Sequence, residues 1–563
     1  MQKDTIAIHA GYDKKNGNGE MAIPISQTTA YAFRDAEHAA NLFALKELGP
    51  IYTRLNNPTN DILEQRYAQL ENGAAALATS SGASAVFYSI ANIAEAGDNI
   101  LISDKLYGGS VTLFHFTLKR FGISVKTFKS DDASDLESLV DDKTKGIFFE
   151  SLSNPQIAIP AIEKIVEVAK KYGIITICDN TVATASLFNP ISWGVDISVH
   201  STSKYTSGNG TALGGVIVER DGLAEFFKKN SARYPHFSTP DASYHGLVYT
   251  DVPLPNFCLR ARLSLLRDIG ATPAPFNSWL LIQSLETLSL RVEKHSNNAL
   301  KVAEFLQSHP KVKKVSYPGL KGDKYYDKAQ KYFKNGLASG LISFEVSSFE
   351  EAKKVIDSAK LFSIVVNIGD SKSLIVHPAS TTHSQMNEED LLKAGVTPVT
   401  VRLSIGLEDS ADLIEDLNQA LNKKFDMPLI STKGVYGLAA IYELSKHKDD
   451  TPMQIKDISA NASIPQNYLE QLLSKLRRAD LLISTRGARG GYLLAKSAKD
   501  IKIVDILIAL EDDIKIVDSK VDNPILNLFF EESKEKTKRI FDLTLADLDK
   551  YEGKYNEFLH YNI

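Results

Sequence analysis

The amino-acid sequence predicts an α/β fold with a mostly parallel sheet, continued by an α+β region and closed by a winged helix-turn-helix. Three observations carry this. Short β-branched runs alternate with helical patterns between Gly73 and Glu219, which is how a helix-covered parallel sheet reads in sequence. A long amphipathic pattern from Pro273 leads into mixed strands and helices. Beyond residue 430, helical stretches precede a glycine-rich hairpin.

Taken in chain order, an apolar run at 74–79 precedes Ser80-Ser-Gly-Ala-Ser84, whose small residues suit a helix N-terminus. Strands follow at 99–103, 146–150, 174–179, 197–200 and 214–218. One long helix is expected over 276–306, then strands at 341–346, 374–377 and 399–405, and a closing helix at 410–424. After a linker come helices at 431–445, 455–460 and 465–479, a hairpin within 482–494, and a helical apolar pattern over 527–561. The expected domains are an N-terminal arm at 1–60, an α/β domain at 61–272, an α+β domain at 273–424, a linker at 425–429, a winged helix at 430–517 and a helical dimerisation segment at 518–563.

Composition narrows the function. With 43% hydrophobic and 24% charged residues over 563 positions, the chain is neither disordered nor fibrous, and its length asks for about three to four domains. No window approaches the ~18 consecutive apolar residues of a membrane span. The first 17 residues carry Lys3, Asp4, Asp13, Lys14 and Lys15 in place of an apolar signal core. A cytoplasmic protein without membrane contact is expected. Cys178 and Cys258 stand 80 residues apart, which builds neither a disulfide framework nor a four-cysteine metal site, so no metal is expected. The net charge of −5 suggests no polyanion partner. Residues 475–499, however, set Lys475, Arg477, Arg478, Arg486, Arg489, Lys496 and Lys499 against Asp480 alone. Such a cluster is usually a solvated face, and becomes a nucleic-acid surface only if a motif supports it.

The chemistry gathers at strand ends. Val199-His-Ser-Thr-Ser-Lys204 places a lysine just beyond a buried strand, among the hydroxyls of Ser201 and Ser203, where it could form a Schiff base beside a phosphate. Asp179 ends another strand, at the edge where open α/β sheets bind ligands, and an aspartate there can keep a pyridine nitrogen protonated. Gly82 and Ala83 open a helix whose N–H groups suit an anion. Lysine, aspartate and phosphate cradle are together the parts of a pyridoxal phosphate site.

From these residues onward the chain resembles the pyridoxal phosphate enzymes of cysteine and methionine metabolism over residues 3–424. The segments that carry the likeness include Tyr52-Thr-Arg54, Ser81-Gly-Ala83, Leu106-Tyr-Gly-Gly109, Asp179-Asn-Thr181, Ser201-Thr-Ser-Lys204, Ser373-Leu374, His377 to His383 and Arg402-Leu-Ser-Ile-Gly406. Tyr107-Gly-Gly-Ser110, Tyr244-His-Gly-Leu-Val248 and Pro275-Phe-Asn-Ser-Trp279 look like the O-acetylhomoserine sulfhydrylase branch.

The resemblance implies the aspartate aminotransferase-like fold and pyridoxal 5'-phosphate as cofactor. It makes Lys204 the lysine bonded to the cofactor and the catalytic base, Asp179 the partner of the ring nitrogen, and Tyr107 a ring stacked on the cofactor and a candidate catalytic residue. Gly82, Ala83, Ser201 and Ser203 would hold the phosphate. Tyr52 and Arg54 would reach the phosphate of a neighbouring subunit, which implies a homo-oligomer, a tetramer in this branch. Asn154, Ser373 and Arg402 would hold the substrate. The implied reaction joins O-acetylhomoserine and sulfide, or a thiol, into homocysteine and acetate. A γ-lyase, or a synthase using O-acetylserine or O-succinylhomoserine, is the alternative.

A second resemblance covers 428–517. Ser463-Ile-Pro-Gln-Asn-Tyr-Leu-Glu-Gln-Leu-Leu473 and Ser484-Thr-Arg-Gly-Ala-Arg-Gly-Gly-Tyr492 look like the winged-helix regulators that include the iron-sulfur assembly and cysteine-metabolism repressors. The likeness implies double-stranded DNA as partner, with Gln466, Asn467 and Tyr468 offered to the major groove and Arg486 and Arg489 on the wing. The cysteines that hold a cluster in some relatives are absent here. A domain used only for assembly, or an enzyme half serving as metabolite sensor, are the competing readings.

Overall fold

The computed structural model describes residues 1–16, 19–381, 397–423, 430–447, 451–485, 490–511, 513 and 524–551. The chain separates into two compact units, Met1–Lys423 and Lys424–Ile563.

The first unit holds a seven-stranded sheet made of β1 (Ala75–Thr79), β2 (Asn99–Ser103), β3 (Ser124–Phe128), β4 (Thr144–Glu150), β5 (Ile175–Asp179), β6 (Ile197–Ser201) and β7 (Gly215–Glu219). Their order is β1-β7-β6-β5-β4-β2-β3, and β7 alone runs against the rest. Parallel partners need a crossover of a dozen or more residues, usually a helix. Residues 202–214, between β6 and β7, instead form turns that fold straight back, and this return carries Lys204.

Side chains alternate between two buried layers. Leu101, Ile147, Phe149 and Val216 pack on one face, and Ile100, Ile102, Phe148, Ile177 and Val199 on the other. Burial on both faces explains why these strands read as unbroken apolar runs.

The expected single helix over 276–306 is two helices, Pro275–Leu285 and Leu288–Ser308. At the junction Thr287 leaves helical geometry with ψ at 9°, and the Arg291 guanidinium takes the Ser284 carbonyl at 2.7 Å. Apolar periodicity runs through such a break, which is why it escapes a sequence reading. A second sheet of β8 (Lys314–Ser316), β9 (Leu341–Glu345), β10 (Ser363–Ile364), β11 (Leu374–Val376) and β12 (Thr400–Ser404) has the order β10-β11-β12-β9-β8. It shares a core of Val302, Leu306, Phe344, Val401, Leu413 and Leu417 with helix Ser410–Asn422 and the long helix.

The second unit contains helices Thr432–Lys446, Ile455–Ala462 and Gln466–Arg478, then β13 (Leu482–Thr485) paired antiparallel with β14 (Gly491–Leu494). Ile441, Ile458, Leu469, Leu472, Leu473, Leu476 and Leu482 form its own core. Ser463, in the left-handed region at φ 54°, turns the second helix into the third. Helices Ile503–Glu511 and Pro524–Ile540 follow. Among the described residues no helix is long and apolar enough to cross a membrane.

Candidate active site

The ends of β4, β5 and β6 open into a cavity of about 490 Å³. Glu150, Asp179, Ser201, Ser203, Lys204 and Arg402 all line it. The parallel register puts Glu150 beside Asp179 and Asp179 beside Val199, so one sheet edge presents its polar termini together.

Helix Gly82–Ala91 points its N-terminus at the same edge, capped by Ser81, whose Oγ accepts from the Ser84 N–H at 3.1 Å. The first N–H groups of a helix have no acceptor within it. A Cβ added at Gly82 would lie 2.4 Å from Ser201 Cβ, so only glycine lets this helix end approach the β6 terminus. Ser203 exchanges hydrogen bonds with Gly214, accepting from its N–H at 3.0 Å, which holds the lysine loop against the start of β7.

Lys204 is braced by the long helix and by a loop of the second sheet. Arg291 takes the carbonyls of Tyr205 at 2.6 Å and Thr206 at 3.0 Å. The Lys204 ammonium donates to Asn367 Oδ1 at 2.6 Å. Gly369, at φ 71°, lets that loop close onto Tyr205, since a Cβ there would meet the Tyr205 nitrogen at 2.5 Å. Burial, and then the positive charge of Arg402, lower the Lys204 pKa.

Arg402, on β12, is 2% exposed. Its Nη1 donates to Asn154 Oδ1 at 3.1 Å and its Nη2 to the Asn367 carbonyl at 3.0 Å, while its Nε is buried without a partner. Burial lowers its pKa to about 10. A buried guanidinium that meets only neutral oxygens has room for a carboxylate.

Asp179 accepts from the Thr181 N–H at 2.9 Å, and burial raises its pKa. Tyr107 is 44% exposed at the rim, with its N–H bonded to Glu150 Oε1 at 2.6 Å.

Other expected residues sit elsewhere. Ser373 is fully buried outside the cavity lining, its Oγ donating to Glu408 at 2.9 Å and accepting from the Gly406 N–H at 2.8 Å, so its hydroxyl is engaged within the fold. Tyr52 and Arg54 are exposed and do not line this chain's cavity; Arg54 lies over the Tyr52 ring and donates to the Arg267 carbonyl at 2.7 Å. Among the cavity residues that the sequence reading did not name are Glu150 and Asn367. Glu150 carries the signal that singled out Asp179, a polar residue ending a buried strand. Asn367 sits in a loop with no such mark.

In the second unit, Gln466 and Asn467 are exposed on the first turn of helix Gln466–Arg478. Tyr468, expected beside them in a groove, is half-buried with its ring edge-on to Tyr436 at 6.0 Å, because its position on the helix belongs to the core-facing stripe. Arg486 and Arg489 lie outside the described residues.

The donor set fits pyridoxal phosphate: an amine, an aspartate at the strand end, and a glycine-opened helix N-terminus with two hydroxyls. Comparisons with known proteins agree. An O-acetyl-L-homoserine sulfhydrylase of Leptospira meyeri is 46% identical over 431 residues, covering 75% of this chain and 97% of that protein. A homocysteine synthase of Schizosaccharomyces pombe is 44% identical over 421 residues, covering 74% and 97%. A solved O-acetylhomoserine (thiol)-lyase chain of Campylobacter jejuni, which carries N'-pyridoxyl-lysine-5'-monophosphate, superposes with a TM-score of 0.74 at 53% identity, covering 75% of this chain and all of that one. Residues 430–551 match the Rrf2 family model, described as iron-dependent transcriptional regulator. With residues 4–422 matching the Cys/Met metabolism PLP-dependent enzyme model, this chain belongs to that pyridoxal phosphate-dependent family and carries an Rrf2 winged-helix region after it.

Proposed function

We propose that the first unit converts O-acetyl-L-homoserine and sulfide into L-homocysteine and acetate, and that the second binds double-stranded DNA to regulate sulfur amino acid metabolism. The observation that carries the enzymatic reading is the buried Arg402 guanidinium, free of any carboxylate partner among the described residues, in one cavity with Lys204 and Asp179. Arg402 and Asn154 would bind the amino acid's carboxylate. Bound pyridoxal phosphate supplies an electron sink for the carbanion beside the amino group. Asp179 would hold the proton on the ring nitrogen, Gly82, Ala83, Ser201 and Ser203 the phosphate, and Tyr107 the ring face. Lys204 would take the Cα proton on Nζ and pass a proton onward; burial, and then Arg402, lower its pKa, which favours the proton-accepting form. In the net exchange acetate leaves with the C–O electron pair and hydrosulfide forms the new C–S bond.

Among the described residues, Lys204 and Arg402 are the only cations lining the cavity, and both have roles. No third cation awaits a distal carboxylate, which favours the neutral acetyl ester over a succinyl ester. Among the described residues the phosphate cradle likewise holds no cation of its own, which supports Tyr52 and Arg54 arriving from a second copy in a homo-oligomer. Exposed Gln466 and Asn467 beside a basic window support the DNA reading.

Purified protein supplied with sulfide and each of O-acetylhomoserine, O-succinylhomoserine and O-acetylserine tests the enzyme. Homocysteine from the acetyl ester with the highest kcat/KM is expected; preference for the succinyl ester overturns the reading. Salt-sensitive retardation of a duplex carrying the gene's own upstream region tests the second unit, and equal migration with and without protein overturns that half.

A further inference from the structure

Glu150 is a buried acid with no cation paired to it among the described residues. It ends β4, is 5% exposed, and neighbours Asp179 in register. Its two oxygens serve two different loops: Oε1 accepts the N–H of Tyr107 at 2.6 Å and Oε2 accepts the N–H of Asn154 at 3.2 Å. Burial and then the adjacent Asp179 raise its pKa well above the usual range. Holding an acid here carries a desolvation cost that an apolar side chain at the same strand end would not. What an apolar residue lacks is a pair of rigidly linked acceptors. Tyr107 and Asn154 are 47 residues apart in sequence, and the carboxyl joins their backbones through one planar group.

We propose that Glu150 is a positioning residue of the pyridoxal site, fixing the Tyr107 ring and the Asn154 amide in one frame with Asp179. It does not touch the reacting atoms. It acts through Tyr107, which would face the cofactor ring, and through Asn154, which shares its Oδ1 with Arg402 at 3.1 Å. One side chain thereby ties the cofactor subsite to the carboxylate subsite. This rests on the pyridoxal phosphate reading above.

Full-length Glu150→Gln keeps the volume and one acceptor but turns an NH2 toward one of the two N–H groups. Glu150→Asp keeps both acceptors on a shorter arm, and Glu150→Ala removes them. Three readouts are needed: the dissociation constant of pyridoxal phosphate from the apoprotein by intrinsic fluorescence, kcat and KM for O-acetylhomoserine, and the apoprotein melting temperature. The Gln and Ala variants are expected to weaken cofactor binding and to raise KM, each by about tenfold, the scale of a lost buried hydrogen bond. The Asp variant should recover part of both, and kcat at saturation should change less than KM. Folded Gln and Asp variants with wild-type cofactor affinity and KM, whatever their melting temperature, overturn the proposal. A wild-type protein that takes up no pyridoxal phosphate overturns the reading beneath it, and the proposal with it.

Discussion

The Lys204 ammonium donates to Asn367 Oδ1 at 2.6 Å, across 163 residues of sequence. The same Asn367 offers its backbone carbonyl to Arg402. One loop residue thus holds the Lys204 amine and the Arg402 guanidinium, the two cations that line the cavity among the described residues, at a set separation.

Asn367→Ala should lower kcat about tenfold, the scale of one hydrogen bond to a charged group, while cofactor affinity stays near wild type because the phosphate cradle is untouched. Lys204→Ala should abolish turnover and leave the fold intact. Steady-state kinetics with a melting curve separate the two effects, and full activity in Lys204→Ala would remove the lysine from the reaction.

A neighbouring subunit is expected to supply Tyr52 and Arg54. Mixing inactive Lys204→Ala with inactive Arg54→Ala protein should restore up to about a quarter of wild-type activity, as hybrid dimers hold one site with both groups intact. Native mass spectrometry verifies exchange; exchange without recovered activity means each chain completes its own site.

Glu219, fully buried on β7, accepts the Cys258 N–H and has its pKa raised to about 7 by burial. An unfolded glutamate titrates near 4.5, so the folded state holds the proton longer. The contribution is complete below about pH 4.5 and is lost as pH rises towards 7. Glu219→Gln should therefore be more stable than wild type at pH 8, by roughly 3 kcal/mol at most, with the gain vanishing at pH 4.5. Calorimetry at the two pH values checks the sign.

Gln466→Ala and Asn467→Ala should each cost the specific duplex about tenfold in affinity and leave the salt dependence unchanged. Amide side chains read base edges, whereas counterion release follows phosphate contacts. Titrations at several salt concentrations test this. A changed slope would move these residues to the phosphates.

Much of this architecture is local in origin and so legible in the sequence. The strand 99–103 is observed at those residues, and the strands ending at Glu150 and Asp179 end where the apolar runs do. Buried strands need continuous apolar residues, and a helix beginning at Gly82 needs small ones. The lysine, the aspartate and Arg402 were legible because strand ends and a family likeness mark them.

What only the tertiary structure decides is which strand ends meet. The reversal of β7, which folds the lysine loop back over the sheet, leaves no periodic trace because both directions bury the same residues. Register alone makes Glu150 and Asp179 neighbours, and packing of the second sheet alone brings Asn367 to Lys204. The same packing takes the Ser373 hydroxyl away from the cavity and gives it to Glu408. These are contacts between residues far apart in the chain, and their energies come from shared burial and hydrogen bonds that no short window of sequence contains.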